Sequence, residues 1–583
     1  MPQSLPVMDP ATAQEHRFIA DPAVAISRGA ALSEEAGLGE LTLSGFLRQV
    51  AGQFSDREAL VQQRTDGNRE CWSYRELWQR SVLLARALIA CGLGKGERVG
   101  VLMTNSAEFL ASVFGTALAG GIASPLSTFA TPRELEQLVH GSACSVLLFE
   151  RHIATKDFTH LLCAVDPSIA SCAPGRLAST RFPYLQHVAA VGDGALPGAI
   201  ESWDTFLARG GQVAEALVEA RAREVMPSDP GALFFSSGST GLPKGILSTH
   251  RGVAIQLWRM RRQQGLASDV RYWTANGFFW SGNFAMAVGA TLAAGGALIL
   301  QRVFQPEKAL TLMETEKVNF PFAWPHQSAQ LEAAANWHSV DLSALRYVDP
   351  ESPLSHHPTV RAHWTEPRHC YGNTETFTLT TAYPANTSRE AAHNSHGLPL
   401  PGNSIKIVDP LTGRLAAAGE RGEIAVKGPT LMLGYLGKPA DETLDDEGYF
   451  HTGDGGFLDA DGRLFWEGRL NDIIKTGGAN VSPVEIDEII RTCPGVKLSQ
   501  TVGVPHDTLG ELVVACVVAQ EGAQLDESTI RGFAKERLAS YKVPRRVFFF
   551  PGATLQLTGS AKVKTAELRK LAARKLAEET HER

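Results

Sequence analysis

The chain has 583 residues, 44% of them apolar and 20% charged. That composition suits several folded cores rather than a disordered chain, and about 150 residues per domain gives roughly three to four compact units. Lys plus Arg number 55 against 62 Asp plus Glu, a formal charge of −7, which lacks the electrostatic footprint of a dedicated nucleic-acid binder.

Residues 1–40 carry few periodic apolar positions and read as an N-terminal extension, packed on a domain surface or disordered. The opening MPQSLPVMDP lacks the basic start and apolar run of a secretory signal. At Ser73 the pattern sharpens. Ser73 and Glu76 form a capping box, Leu77, Leu84 and Leu88 share one helical face, and Gly92 supplies the stop. Val99–Met103 reads as a strand, and Asn105 with Glu108 as the start of a helix ending near Gly120-Gly121. Ile122–Leu126 follows as a strand, and Thr131-Pro132-x-Glu134 opens a helix with proline at its first position. Ser145–Phe149 is again a strand. The alternation predicts an α/β fold with a parallel sheet covered on both faces.

The same alternation returns around Leu233–Phe235, Thr249–Gln264 and Phe284–Leu300. The last of these is Ala/Gly-rich and too short for a membrane span, so it reads as buried helix, turn and strand. From Gly397 the chain turns β-rich, with strands at Ile405–Val408, Gly422–Val426 and Leu464–Trp466. After Arg469 come a turn at Gly477-Gly478, a helix opened by Ser482-Pro483-x-Glu485, a strand near Val514–Val518 and a basic tail. The eight cysteines include no C-x-x-C pair, so neither a zinc site nor a disulfide framework is expected. A reducing cytoplasm is the simpler setting.

The sharpest chemical feature is Phe234-Phe-Ser-Ser-Gly-Ser-Thr-Gly-Leu-Pro-Lys-Gly245. An apolar strand runs into Ser236, Ser237, Gly238, Ser239, Thr240 and Gly241, closed by Pro243 and Lys244. Glycines let successive N–H groups converge on an anion, hydroxyls add donors, and a lysine neutralises charge. The loop therefore suits a polyphosphate, without the Walker spacing.

This loop resembles the signature of the adenylate-forming superfamily, the group of acyl-CoA synthetases, luciferases and peptide-synthetase adenylation domains. The resemblance extends over roughly residues 45–575. Tyr371-Gly372-Asn373-Thr374-Glu375 is similar to the family's Tyr-Gly-x-Thr-Glu, Thr452-Gly-Asp454 to its Thr-Gly-Asp, and Leu557–Lys564 to its C-terminal lysine loop. Gly397-Leu-Pro-x-Pro-Gly402, Arg421-Gly-Glu423, Gly434-Tyr435, Gly468-Arg469 and Lys475-x-Gly477-Gly478 also agree. Two departures stand out: Ala561 replaces the glycine before the lysine, and Pro350-Glu351-Ser-Pro-Leu354 replaces a Gly-Gly-Ala-Pro-Leu strip that lines the adenine and acyl pocket in relatives.

The resemblance implies a large domain (41–470) built of two parallel-type α/β sheets and a small β-rich subdomain. A small mobile α+β domain (471–583) would follow, hinged at Asn471. It also implies an ATP-dependent acid–CoA ligase using Mg²⁺ and coenzyme A. Tyr371 would stack on adenine, Thr374 contact the α-phosphate, Glu375 hold the metal, Asp454 take the ribose hydroxyls, and Arg469 reach the nucleotide. Lys562 would be catalytic in adenylation. Lys475 would replace it in the thioester-forming state, where Gly477 and Gly478 line the pantetheine channel. Phe278, Phe279, Trp280, Phe284, Phe322, Trp324 and Phe377 are the candidate acid pocket. No Asp stands among them to pair with an amino group, which favours a hydrophobic medium-chain, aryl-alkanoic or polycyclic acid. The rival readings are an enzyme that loads a separate carrier protein and an inactive nucleotide-binding homologue. Oligomeric state stays open, a homodimer among the options.

Overall fold

The computed structural model describes residues 19–581, apart from 22–23, 64–66, 238–242, 440–441, 473, 477–478, 507–508, 539–541 and 552–564. The chain forms two compact units. Among the described residues, the first comprises Arg28–Ser404 and Lys427–Phe450; the second comprises Ile19–Ser27, Ile405–Val426 and the residues from His451 onward.

The first unit holds two large sheets. One has eight strands in the order Ile200–Ser202, His187–Val191, Val146–Glu150, Arg98–Leu102, Ile122–Pro125, Pro230–Ser237, Pro243–Thr249 and Gly434–Tyr435. The pairings are parallel up to Pro230–Ser237 and antiparallel beyond it. Alternate residues of Val146–Glu150 enter different cores: Val146 and Leu148 join one cluster, Leu147 and Phe149 another. A period of two with both phases apolar marks a strand buried on both faces. The second sheet runs Phe320–Phe322, Arg271–Thr274, Ala297–Leu300, Glu58–Gln63 and Arg69–Ser73. Its Leu60, Tyr272 and Leu298 point into the first core, while Val61, Trp273 and Ile299 point into a third. Helices such as Tyr74–Ala90 and Ala107–Leu118 therefore serve both sheets from one shared layer.

Local signals explain most helix boundaries. The capping boxes at Ser73/Glu76 and Thr131/Glu134 are formed, and Ser482 caps Pro483–Arg491. The helix expected from Asn105 is instead capped by Ser106, whose hydroxyl accepts from Phe109 N–H. Asn105 is drawn elsewhere: its amide donates to Asn276 O and accepts from Phe278 N–H. Phe284–Leu300 resolves into a π-turn, a short α-helix ending at Ala294, Gly295 at φ +77°, and the strand Ala297–Leu300.

The second unit holds a six-stranded sheet, in the order Ile19–Asp21, Val24–Arg28, Ser404–Val408, Gly422–Lys427, Phe450–Leu458 and Leu464–Arg469. Part of the segment expected as an extension is thus a strand, with Ala25 and Ser27 buried. The unit's other sheet contains Ala479–Val481, Ile474–Thr476, Gly510–Ala519, Val496–His506 and Arg546–Phe549. Helices Pro483–Arg491 and Glu527–Lys535 contribute to the core on one side of it, and Thr565–His581 to a second core. All eight cysteines are free thiols. Among the described residues no helix is long and apolar enough to cross a membrane.

Candidate active site

The candidate residues fall on both units. On the first, Ser236 pairs with Lys244 and Ser237 with Pro243 across an antiparallel hairpin. Gly238, Ser239, Thr240 and Gly241 lie outside the described residues. The Lys244 ammonium stands 5.4 Å over the ring of Tyr435, whose strand pairs with that of Lys244 through Ile246. The Tyr435 hydroxyl donates to Glu375 Oε1 at 2.8 Å. Tyr435, quoted above only as part of a Gly-Tyr match, thus joins the lysine that closes the phosphate loop to the candidate metal carboxylate.

Tyr371 is buried in a short strand beside Thr381. Gly372 is required: a Cβ there would lie 1.7 Å from Thr378 O. Asn373 Oδ1 accepts from Thr376 N–H at 3.0 Å, capping the single turn Thr374–Thr376. The chain leaves that turn through two left-handed residues, Phe377 at φ +47° and Thr378 at φ +104°. Such backbone costs on the order of 1–3 kcal/mol per residue and persists only when its surroundings hold it. Gln256, buried on the helix His250–Gln263, does this: its Nε2 donates to Thr376 O (3.2 Å) and Leu379 O (2.7 Å). A glutamine on a helix carries no sequence signal for that task.

The candidate pocket aromatics divide. Phe278, Phe284 and Phe377 are members of the central core, with Phe234 packed against both Phe284 and Phe377. Phe279 contacts Trp280 and also Phe129, which is 63% exposed and was not singled out by sequence. Lys156 holds the Phe129 loop by donating to Phe129 O and Ala130 O, each at 2.9 Å. Phe322 and Trp324 form a separate pair, Trp324 being 39% exposed. In the departing strip, Glu351 pairs with Arg368, which Asp349 also binds; two glycines could not supply that link.

On the second unit, Asp454 is buried and accepts Arg469 Nε at 3.1 Å, while Arg469 Nη1 donates to Thr452 O at 2.7 Å. Glu423 shapes this turn: its Oε1 accepts Gly453 N–H (2.9 Å) and its Oε2 lies 3.0 Å from His451 Nδ1. Asn471 sits in the turn Leu470–Asp472, beside Asp472, whose carboxyl is raised above its ordinary range by burial. Lys475 is exposed, and its backbone N–H donates to Glu511 Oε2 at 2.8 Å. Gly477, Gly478, Ala561 and Lys562 lie outside the described residues.

Glu375 fits a hard divalent cation. It is half-buried, and among the described residues its Oε2 accepts no hydrogen bond while Oε1 is fixed by Tyr435. Mg²⁺ commonly takes one or two carboxylates and completes its shell with phosphate and water oxygens.

The AMP-binding enzyme family model matches residues 47–436, and the AMP-binding enzyme C-terminal domain matches residues 485–562. A feruloyl-CoA synthase of Amycolatopsis sp is 31% identical over 506 residues, covering 85% of this chain and 93% of its own. The mitochondrial medium-chain acyl-CoA ligase of Bos taurus is 28% identical over 549 residues, covering 91% and 88%. The crystal structure of ATP-bound MatB from Rhodopseudomonas palustris superposes with a TM-score of 0.71 at 26% identity, over 91% of this chain and 99% of that one. The chain therefore belongs to the AMP-binding enzyme family, in the acyl-CoA synthetase branch of the adenylate-forming superfamily, and is an AMP-forming acid–thiol ligase.

Proposed function

We propose that the enzyme activates a hydrophobic carboxylic acid with an uncharged skeleton, medium-chain, aryl-alkanoic or polycyclic, and transfers it to coenzyme A. The observation that carries the substrate class is the contact series Phe129–Phe279–Trp280, with ring centroids 5.5 and 5.2 Å apart. Flat apolar surfaces of this kind suit an apolar or aromatic tail. Two relatives, named for feruloyl and for medium-chain acyl groups, support the same class.

Tyr371 stacks on adenine and Asp454 accepts the ribose hydroxyls, released from Arg469, which then contacts the nucleotide. Ser236–Gly241 and Lys244 hold the β- and γ-phosphates. The acid's carboxylate oxygen attacks the α-phosphorus in line, forming a C–O–P link while the bond to the leaving pyrophosphate breaks. Negative charge grows on the phosphoryl and leaving oxygens, so catalysis is positioning plus cationic stabilisation. Lys562 bridges the acid and the α-phosphate, and Thr374 donates to the same phosphate. Mg²⁺, held by Glu375, supplies positive charge to the phosphate oxygens when bound. In the second half-reaction the CoA thiolate attacks the acyl carbon and AMP leaves. The hinge at Asn471 withdraws Lys562 and presents Lys475, Gly477 and Gly478 to the pantetheine arm.

The test is a panel of acids assayed with ATP and either CoA or a holo-carrier protein, products identified by mass. Acyl-CoA from a medium-chain or aryl acid supports this reading. Transfer only to the carrier installs the rival one, and turnover confined to small polar acids removes the substrate class.

A further inference from the structure

Two ammonium groups converge on one tyrosine ring in the first unit. Lys244 Nζ lies 5.4 Å and Lys438 Nζ 6.0 Å from the Tyr435 centroid. Lys438 is held there by its own backbone, its N–H donating to Tyr435 O at 3.0 Å across a turn that Gly437 permits at φ +79°. Among the described residues neither lysine has a carboxylate within ion-pair distance; the carboxylate at this tyrosine, Glu375, is engaged by the hydroxyl. Two like charges drawn to one side chain repel each other, a cost that a bound anion would offset, and the π system offers only partial compensation. Lys438 is exposed, so its ammonium is free to move from the ring to a ligand.

We propose that Lys438 is a second polyphosphate-binding ammonium: with Lys244 it takes the β- and γ-phosphates of the nucleotide and retains the pyrophosphate cleaved from it. This assignment rests on the ligase reading above and adds to it the residue that completes the terminal-phosphate subsite. The ligand class is a pyrophosphate or a nucleoside triphosphate. A nucleoside monophosphate, which lacks the β- and γ-groups, lies outside its reach.

Titration calorimetry on the full chain tests this, with AMP, ATP and inorganic pyrophosphate as probes, each with magnesium chloride. Lys438→Ala is expected to weaken pyrophosphate and ATP about tenfold, the size of one lost charge-assisted contact. AMP should stay within about twofold of wild type, which also reports an intact fold, and Lys438→Arg should keep most of the affinity. Unchanged pyrophosphate binding in Lys438→Ala, or an equal loss on AMP, overturns the assignment alone. A wild-type chain that binds neither AMP nor ATP overturns the nucleotide reading, and this assignment with it.

Discussion

Glu35 grips Arg259 through both carboxylate oxygens, with Nε 2.8 Å from Oε1 and Nη2 2.7 Å from Oε2. The Arg259 side chain is 0% exposed and that of Glu35 only 7%. A charge left alone in such a place costs about 3–5 kcal/mol. Glu35→Gln is therefore expected to lower the thermal unfolding midpoint and speed amide exchange along His250–Gln263. The pair Glu35→Leu with Arg259→Met should recover most of the loss, since two apolar side chains leave no orphan charge. A single variant as stable as wild type contradicts the pairing.

The fate of Glu35 shows what a sequence conceals. Residues 1–40 read as an extension because a five-residue strand burying only Ala25 and Ser27 leaves no apolar pattern. The anchoring ion pair spans 224 positions. Caps at Ser73, Thr131 and Ser482 were legible because each is settled within one turn. Asn105 and Ser106 are both capping residues, and only the distant Asn276–Phe278 loop decides between them. The Tyr371–Glu375 turn was legible as a motif, whereas Gln256, which braces it from 120 positions away, was not. Aromatic residues were found readily, but composition does not separate Phe284 and Phe377, set in the core, from Phe279 and Trp280 beside the exposed Phe129.

Gln256→Leu removes both bonds that flank the left-handed pair Phe377–Thr378. The turn bearing Thr374 and Glu375 should loosen, and misplacement of about 1 Å can cost 10²-fold in rate. The expected result is a fall of roughly tenfold or more in the adenylation kcat, with amide exchange of Pro230–Ser237 unchanged. A variant with wild-type kcat shows that the turn holds itself.

Asp487 is buried on Pro483–Arg491, and burial raises its carboxyl to about 6 despite bonds from Thr501 N–H and the Ser499 and Thr501 hydroxyls. The folded state thus binds this proton more tightly than the unfolded chain, whose carboxyl titrates near 3.8. Its contribution to stability is full below that value and is lost as pH rises through about 6, on the order of 3 kcal/mol. In Asp487→Asn, Oδ1 can keep Thr501 N–H and Nδ2 can donate to the hydroxyl oxygens. Exchange protection of Val496–Ala519, compared at pH 5 and pH 7.5, should therefore vary less in the variant than in wild type. Equal variation contradicts the assignment.

Lys562→Ala should depress acyl-adenylate formation roughly 10²–10³-fold, the scale of losing one charge-stabilising donor. Thioester formation from supplied acyl-AMP should change far less, since the proposed mechanism withdraws Lys562 in that step. Equal loss in both half-reactions rejects this division of labour.

The most direct measurement is product stoichiometry: the enzyme incubated with ATP, Mg²⁺, CoA and a turned-over acid, with nucleotides, phosphates and thioester quantified together. One AMP and one pyrophosphate should appear for each acyl-CoA, without ADP. Thioester formed with ADP and orthophosphate, or no acid-dependent exchange between ATP and pyrophosphate across a broad panel, would contradict it.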